Sequence, residues 1–448
     1  MFKCFQSQTA QTEKGTRQTN SPFRAARAHD DAYTSTDEPG QPGTPPEEYY
    51  PEGGRAAYLV VLGAFCAIMG GLGLMNSIGV YQSWIASHQL RDLDHGTLAW
   101  IFGLFNFMVF FCGIQIGPVL DVYGPAWLMV TSLALYVAAF VSLGYCREYW
   151  HFVLVIGVVA GAATSIVFVV PVAVIGQYFQ RKRGAATGLA MSGGSLGGVV
   201  FPLILDALGD DIGFAWTTRV IGLVTVCLLL VGCILLRPRP GFRRHHAATK
   251  NILPDFRILL HPAVNLMTLG VFFIEWGFFV GLEYIASYAL ANGISERLSY
   301  LMVVFLNAGS FPGRWLPGLV ADRFGRMKTM IVTNLLCIVA MLAIWLPADG
   351  NVVAVIVFSV VFGFASGSNI SLVPVCVGEF CSTQDYGRYY STVYTVVSLG
   401  ALTGVPIAGK ILAQSNGAYF GLIIFAGVSY VAGVICFLGL VVFKKRLL

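Results

Sequence analysis

Twelve apolar segments, most of them about 20 residues or longer, constrain this chain more than any other feature. A helix needs roughly 20 residues to cross the hydrocarbon core of a bilayer. Backbone groups in lipid must be hydrogen-bonded within the segment, so each segment is expected to be helical. The sequence therefore predicts an all-α membrane protein with twelve transmembrane helices. The predicted segments are 57–81, 97–119, 126–146, 151–176, 184–206, 216–236, 263–289, 298–320, 328–346, 351–375, 388–412 and 417–443.

Composition excludes the soluble classes that the length of 448 residues would otherwise suggest. Charged residues make up 11% of the chain and hydrophobic residues 56%, whereas a soluble domain carries roughly 25% charged residues. The net charge of +5 does not indicate nucleic acid binding, because the basic residues follow membrane topology. The ten cysteines are expected to be small buried hydrophobic residues. We predict no metal site, no cofactor and no catalytic residues.

The distribution of Lys and Arg predicts the orientation of the chain in the membrane. The strongly basic links follow segments 4, 6, 8 and 12, so that side is predicted to be cytoplasmic. Both termini are then cytoplasmic, and the plasma membrane is the predicted location. The predicted divisions are a disordered tail (1–50), a first six-helix bundle (51–237), a linker (238–262) and a second six-helix bundle (263–448).

A short motif repeats at equivalent places in the two halves, directly after the second segment of each. It has the spacing G-x-x-x-D-x-x-G, and each aspartate is followed three residues later by a glycine. Parallel repeats of this kind are typical of a large class of membrane carriers. The two copies are Gly117, Asp121 and Gly124, then Gly318, Asp322 and Gly325.

The second copy resembles the signature loop of the major facilitator superfamily, because Arg323 and Arg326 complete it. The resemblance implies two pseudo-symmetric six-helix bundles and transport by alternating access. Asp322 is expected to contact neighbouring guanidinium groups or the positive end of a facing helix. The first copy has Val122 and Pro125 where the superfamily prefers basic residues, so we expect it to latch less firmly.

Within that superfamily the chain is similar to the monocarboxylate porters, especially their fungal branch. This resemblance implies a small organic acid as substrate and the proton as coupling ion. Animal members have a lysine where Asn76 stands and an acidic residue where Ser310 stands, and these departures put simple lactate and proton symport in doubt. The segments that carry the resemblance are 52–54, 62–65, 76–81, 178–198, 363–374 and 404–409.

Charged side chains inside predicted membrane segments are the candidates for transport, because they are costly there and usually functional. Arg314 lies one turn before Gly318, and in animal members an arginine at the matching place binds the substrate carboxylate. Glu275 is predicted near mid-membrane, where it carries a proton or pairs with Arg314. Trp276 belongs to an aromatic cluster that lines a cavity or packs against lipid. The candidate substrate-binding residues are Arg314, Asn76, Glu275, Trp276 and Ser310.

Several functions remain open at this point. Uptake of a nutrient monocarboxylate and export of an acidic secondary metabolite are both compatible with the resemblance, and a vitamin is a further possible substrate. A nutrient sensor built on a carrier fold would differ from these in not transporting its ligand. A membrane enzyme is disfavoured, because the segments hold too few convergent catalytic groups, and the absence of a Walker motif argues against direct ATP coupling.

Overall fold

A computed structural model describes residues 50–91, 93, 95–241, 253 and 255–447 of the chain. The predicted tail lies outside these residues apart from Tyr50, as does the central part of the predicted linker (242–252 and 254). Throughout the described residues the regular structure is helical, with no strand. The helices of the first half are α1 (Arg55–Asn76), α2 (Ile78–Ser87), α3 (His95–Phe111), α4 (Gly113–Tyr123), α5 (Pro125–Leu143), α6 (Tyr149–Phe152), α7 (Gly161–Tyr178), α8 (Arg183–Ile212) and α9 (Phe214–Leu235).

The second half contains six further helices, preceded by a short 3-10 turn at Phe256–Leu260. Two π-helical segments, Val153–Ala160 and Ala340–Trp345, continue α6 into α7 and extend α12. The helices of the second half are α10 (Pro262–Ala291), α11 (Glu296–Phe324), α12 (Arg326–Val339), α13 (Val352–Val377), α14 (Tyr386–Gln414) and α15 (Phe420–Leu447).

Eleven helical spans in the described part of the chain are long and apolar enough to cross a membrane. The eighth predicted segment is the exception. It forms α11, whose 29 residues are long enough to span, but its polar and charged residues make it insufficiently apolar by composition. Several of these lie on its buried side, including Asn307, Ser310 and Arg314. The polarity of α11 is thus concentrated where it packs against other helices.

The first and second predicted segments are interrupted in the structure. The first breaks at Ser77, whose Oγ donates to the Gly73 carbonyl oxygen one turn earlier at 2.6 Å. Such a bond competes with the backbone ladder and often bends a helix. The second breaks at Cys112, between α3 and α4. The predicted segments 57–81 and 97–119 are therefore each two helices.

Contacts between the first and second halves are concentrated in a few helix pairs. Helix α11 packs against α8 as well as against α13, and α14 packs against α3 and α4. Within the first half, α1 packs mainly against α8 and α9, while in the second half α10 packs against α15 and α14. The surfaces shared by the two halves therefore involve α3, α4 and α8 on one side and α11 and α14 on the other.

Candidate functional site

A small cavity lies where helices of the first and second halves meet. Its volume is about 10 Å³, which is room for roughly one water molecule. Seven helices contribute to its wall: α1, α3 and α7 from the first half, and α10, α11, α13 and α14 from the second. The lining residues are Leu72, Met75, Asn76, Phe110, Phe168, Glu275, Arg314, Ile370 and Tyr394.

Arg314 is the cation of this cavity, and its side chain is 1% exposed. Its Nε donates to Ser310 Oγ at 3.2 Å, and its Nη1 donates to the Met191 carbonyl oxygen at 2.8 Å. Its Nη2 donates to Asn76 Oδ1 at a longer distance of 3.4 Å. All three acceptors are neutral. A guanidinium has five N–H donors, so two N–H groups of Arg314 have no acceptor among the described residues.

The residues around Arg314 join α1, α8 and α11. Asn76 Nδ2 donates to the Gly194 carbonyl oxygen at 2.9 Å, and Ser195 Oγ donates to Ser310 Oγ at 3.1 Å. Asn307 Nδ2 donates to the backbone oxygen of Asn76 at 3.3 Å. The sequence-predicted residues Arg314, Asn76 and Ser310 are therefore brought together. Asn76 and Ser310 stand where charged residues are expected from animal relatives, and both now serve as acceptors for Arg314.

Glu275 lines the same cavity and is 3% exposed. Its Oε2 has no hydrogen-bond partner within the part of the chain that the structure describes. Arg314 and Glu275 also form no ion pair in this arrangement, since neither has an opposite charge within 4 Å among described residues. A buried cation and a buried carboxyl thus share one cavity without contacting each other.

Aromatic rings form the apolar side of the cavity. The rings of Phe110 and Tyr394 stack with centroids 5.2 Å apart, and Phe168 meets Tyr394 edge-on at 4.8 Å. Trp276 is not part of this wall. Its indole Nε1 donates to Thr403 Oγ1 at 3.1 Å, and its ring lies in a separate apolar groove beside Phe425. Of the five candidate substrate-binding residues, Trp276 alone is not brought to the Arg314 cluster or its cavity.

The first copy of the repeated motif connects α4 to the beginning of α14. Asp121 Oδ1 accepts from the backbone N–H of Gly387 at 3.1 Å, and Oδ2 accepts from that of Arg388 at 3.0 Å. A methyl group at Gly117 would overlap the Gly387 carbonyl and the Ser391 hydroxyl. Close approach of the two helices therefore requires glycine at position 117. We call this contact the first latch.

The second copy connects α11 to the beginning of α8. Asp322 Oδ1 and Oδ2 accept from the backbone N–H groups of Gly184 and Ala185, each at 2.8 Å. A methyl group at Gly318 would overlap the Gly184 carbonyl. We call this contact the second latch. In both copies the last glycine, Gly124 or Gly325, has a positive φ, of 84° and 104° respectively, which a non-glycine residue adopts only with strain.

The two arginines of the signature loop have different surroundings. Arg326 Nη2 donates to the Gln180 carbonyl oxygen at 2.6 Å, and its Nε lies 3.9 Å from Glu379 Oε1. Arg323 has an exposed side chain. Of these two arginines, Arg326 is the one with side-chain contacts among the described residues, to the turn before α8 and to the loop after α13.

Sequence reasoning missed the polar residue Asn307 and the aromatic residues of the cavity. Asn307, Ser310 and Arg314 recur at helical spacing, so they share one face of α11. That pattern was visible in the sequence and would have predicted the polar stripe. Phe110 and Phe168 had no comparable signal, because nothing distinguishes an aromatic residue at a cavity from one facing lipid.

Comparison with known families and proteins gives consistent results. The family model described as Major Facilitator Superfamily matches residues 60–350 and 316–447. The riboflavin transporter MCH5 of Saccharomyces cerevisiae is 34% identical over 87% of this chain and 79% of that protein. The Fujikurins efflux protein of Gibberella fujikuroi is 30% identical over 90% of this chain and 86% of that protein.

Two solved structures have the same fold at low sequence identity. The human organic anion transporter MFSD10 superimposes with a TM-score of 0.65 and 17% identity, covering 88% of this chain and all of that one. FucP in its outward conformation superimposes with a TM-score of 0.66 and 16% identity, covering 86% of this chain and 99% of that one. At these identities the similarity concerns the fold alone.

Proposed function

The chain belongs to the major facilitator superfamily and is a multi-pass membrane protein, and we propose that it is a secondary active transporter of a small, monocarboxylate-like organic anion. Transport occurs by alternating access, with the proton as the coupling ion. The observation that carries this proposal is Arg314, a buried cation in the cavity between the two halves that has only neutral acceptors.

The energetics of Arg314 favour an anionic substrate. A buried charge without a counter-ion costs several kcal/mol, and a carboxylate offers a guanidinium two parallel hydrogen bonds. Two N–H groups of Arg314 are available for these bonds. The 3.4 Å contact to Asn76 is long for a hydrogen bond and is the first that an entering carboxylate would replace. Ser310 and the Met191 carbonyl then hold the guanidinium in place.

The rest of the substrate is expected to be apolar or planar, because aromatic side chains line the same cavity as Arg314. Phe110, Phe168 and Tyr394 offer ring faces and edges to such a group. Superfamily relatives include a riboflavin transporter and an efflux protein for fujikurins. A second candidate function is therefore export of an acidic secondary metabolite, or transport of a vitamin, through the same site. The names of these two relatives support it.

The topology proposed with this function places both termini and both latches on the cytoplasmic side of the plasma membrane. Basic residues support this side, since Arg181, Lys182 and Arg326 lie beside the second latch and Arg388 takes part in the first. The chain is divided into two six-helix bundles at the linker 238–262. Rocking of these bundles would open the Arg314 cavity to one side at a time.

Transport by purified protein in liposomes tests this proposal. Radiolabelled lactate, nicotinate and 4-hydroxybenzoate are offered with and without an inward proton gradient. We expect gradient-stimulated uptake of at least one acid, and a loss of about 100-fold or more in Arg314→Ala, because removing one member of a buried charge pair costs roughly 2–5 kcal/mol. Arg314→Lys should retain part of the activity.

Arg219→Ala is the matched control, because the Arg219 guanidinium lies over the rings of Tyr145 and Trp216 and does not line the cavity among the described residues. It should transport like the original protein. Equal activity of Arg314→Ala and Arg219→Ala would remove Arg314 from the site. If folded protein transports none of the acids, the organic anion proposal fails, and a neutral substrate or a non-transporting sensor becomes the better reading.

A further inference from the structure

A second buried arginine lies between the two halves, at the beginning of α8. Arg183 is the first residue of that helix and is 1% exposed. Its Nε and Nη2 carry three of the five N–H donors of a guanidinium, and neither atom has a hydrogen-bond partner among the described residues. Within the same residues Arg183 forms no ion pair. It is therefore a buried cation without a counter-ion and with donors to spare.

The guanidinium of Arg183 is enclosed by residues of both halves. It lies over the ring of Tyr386, the first residue of α14, with its Cζ 4.4 Å from the ring centroid. Methyl groups at Gly176 of α7 and at Gly378, which follows α13, would overlap it. The Tyr386 hydroxyl donates to the Pro374 carbonyl oxygen at 3.0 Å, which holds the ring in this position. The contact of Arg183 with Tyr386 therefore joins the first half to the second.

This contact is made by the residues next to the two latches. Arg183 directly precedes Gly184, whose N–H group belongs to the second latch, and Tyr386 directly precedes Gly387, whose N–H group belongs to the first. The beginning of a helix is the positive end of its dipole, so a cation is disfavoured there and an anion is favoured. Burial, the missing counter-ion and the dipole of α8 are thus all unfavourable for the charge of Arg183.

Three tyrosine rings connect this contact to the anion cavity, and we call them the tyrosine row. Tyr386, Tyr390 and Tyr394 recur every four residues on α14, so they share one face of that helix, and each is at most 2% exposed. Successive ring centroids are 5.4 Å and 4.8 Å apart. Phe168 of α7 stacks on Tyr390 at 5.5 Å, so the row lies where the halves meet. Tyr394 lines the anion cavity, and Tyr386 lies eight residues away, a distance of about 12 Å along the helix.

We propose that Arg183 is a second binding site for the transported organic anion, at the latch end of a route that follows the tyrosine row from the Arg314 cavity. The proposal rests on the proposed function, which supplies the anion. In the closed arrangement the site is masked, because the Tyr386 ring and two glycines enclose the guanidinium. Separation of the halves at the latches uncovers Arg183, and its Nε and Nη2 then offer a carboxylate two parallel hydrogen bonds.

A binding site of this kind gives a physical reason for the lack of a counter-ion at Arg183. A protein carboxylate beside the guanidinium would compete with the carboxylate of the substrate. The face of the Tyr386 ring attracts the cation more weakly, so an entering carboxylate can replace it. Tyrosine rings also combine an apolar body with a polar hydroxyl group. The wall of the route therefore suits an aromatic or apolar acid of the class proposed for the Arg314 cavity.

Photoaffinity labelling of the purified protein tests this site without any transport. The probe is 4-azidobenzoate, and labelled residues are assigned by mass spectrometry. In Gly117→Val, which keeps the first latch from closing, we expect label both at the Arg314 cavity and within residues 376–388. Adding Arg183→Gln should reduce the second label at least tenfold and leave the first, whereas adding Arg314→Ala should do the reverse. Uncharged 4-azidobenzamide should label residues 376–388 at least tenfold less than the acid.

Three further variants separate anion binding from a purely structural role of Arg183. Arg181→Gln is the matched control, because Arg181 is exposed in the turn directly before α8, and it should leave both labels unchanged. Arg183→Lys keeps the charge but loses the paired donors, so it should retain part of the label within residues 376–388. Tyr386→Leu removes the ring that masks the site, and it should increase this label severalfold in protein with the original Gly117.

The outcomes distinguish this site from the Arg314 cavity. Label within residues 376–388 that is absent in Gly117→Val, that persists in Arg183→Gln, or that the amide produces equally would overturn the proposal. Loss of both labels in Arg183→Gln and in Arg183→Lys would also overturn it, because Arg183 would then support the fold and bind no anion. Cavity label that survives Arg314→Ala would instead count against the proposed function and leave the result at Arg183 standing.

Discussion

The first and second latches make the same contact in different surroundings. In each, both carboxylate oxygens of an aspartate accept from two successive backbone N–H groups at the beginning of a long helix in the other half. Asp121 of the first latch is 8% exposed, whereas Asp322 of the second is half-buried. Arg326 adds side-chain contacts to the second latch alone.

This difference shows that the basic residues of the signature loop are not needed for the contact itself. Val122 and Pro125 stand in the first copy where Arg323 and Arg326 stand in the second, and we expected the first latch to be less firm for that reason. It nevertheless has as many backbone hydrogen bonds and is more buried. In each latch the aspartate carboxylate binds the backbone N–H groups at the beginning of the facing helix, which have no partner within that helix. The helix dipole also makes this end positive.

Adding a side chain at the helix crossing of either latch should have the largest effect. In Gly117→Val or Gly318→Val the new atoms would overlap backbone of the facing helix, and overpacking typically costs about 1–3 kcal/mol and occasionally more. We expect transport to fall about 100-fold in both variants. Gly103→Val is the control, because a Cβ at Gly103 meets no atom within 4 Å. Normal transport by Gly117→Val would show that α4 and α14 need not approach this closely.

Removing the charge of each latch should have a smaller and unequal effect. Asp121→Asn and Asp322→Asn each replace one acceptor oxygen by an amide donor that faces a backbone N–H. This change destabilises the latch by about 1–3 kcal/mol. We expect the larger destabilisation in Asp121→Asn, because Asp121 is more buried than Asp322. Equal effects would show that burial of the carboxylate does not decide the strength of the latch.

Alkylation of Cys381 provides a local measure of the first latch. This thiol lies in the loop before α14, and burial raises its pKa to about 12 from an ordinary value of 9.0. The thiolate is the reactive form, so the closed latch keeps Cys381 slow to react at mildly alkaline pH. Opening of the latch exposes the thiol, lowers its pKa towards 9.0 and speeds the reaction. Site-resolved mass spectrometry should detect an increase of at least tenfold in Asp121→Asn and less in Asp322→Asn.

The fold could be predicted from the sequence largely because every segment that crosses a bilayer must be helical and must have about the same minimum length. Hydropathy placed the helix ends within a few residues, and the repeat of Asp121 and Asp322 indicated two related halves. Hydropathy did not predict the breaks at Ser77 and Cys112, since a bend depends on local hydrogen bonds that leave the segment apolar. For α11 the sequence predicted an apolar span, whereas its polar and charged residues leave it less apolar than the other eleven spans of the described residues.

The candidate site was only partly predictable, for a different reason. Arg314, Asn76 and Ser310 could be chosen because polar groups inside a membrane segment are costly, and the structure places them together. Trp276 was chosen because it belongs to an aromatic cluster in its segment. The structure places its neighbour Glu275 at the cavity and Trp276 away from it. One residue along a helix turns a side chain by about 100°. Which face of α10 points inward depends on its packing against α14 and α15, which the sequence does not state.

The smallest effect is expected where the two latches differ most in sequence. Arg326→Ala removes the hydrogen bond to Gln180 and the contact with Glu379. That ion pair is long, at 3.9 Å, and its side chains are 14% and 20% exposed, so we expect it to contribute only about 1 kcal/mol, the upper end of the range for surface pairs. We expect transport to fall no more than about threefold, with the difference from the original protein shrinking further at high salt. Arg323→Ala, which removes an exposed side chain from the same loop, is the matched control and should be silent. A loss in Arg326→Ala as large as that in Asp322→Asn would mean that the second latch depends on its arginine, and the two latches would then work by different physical means.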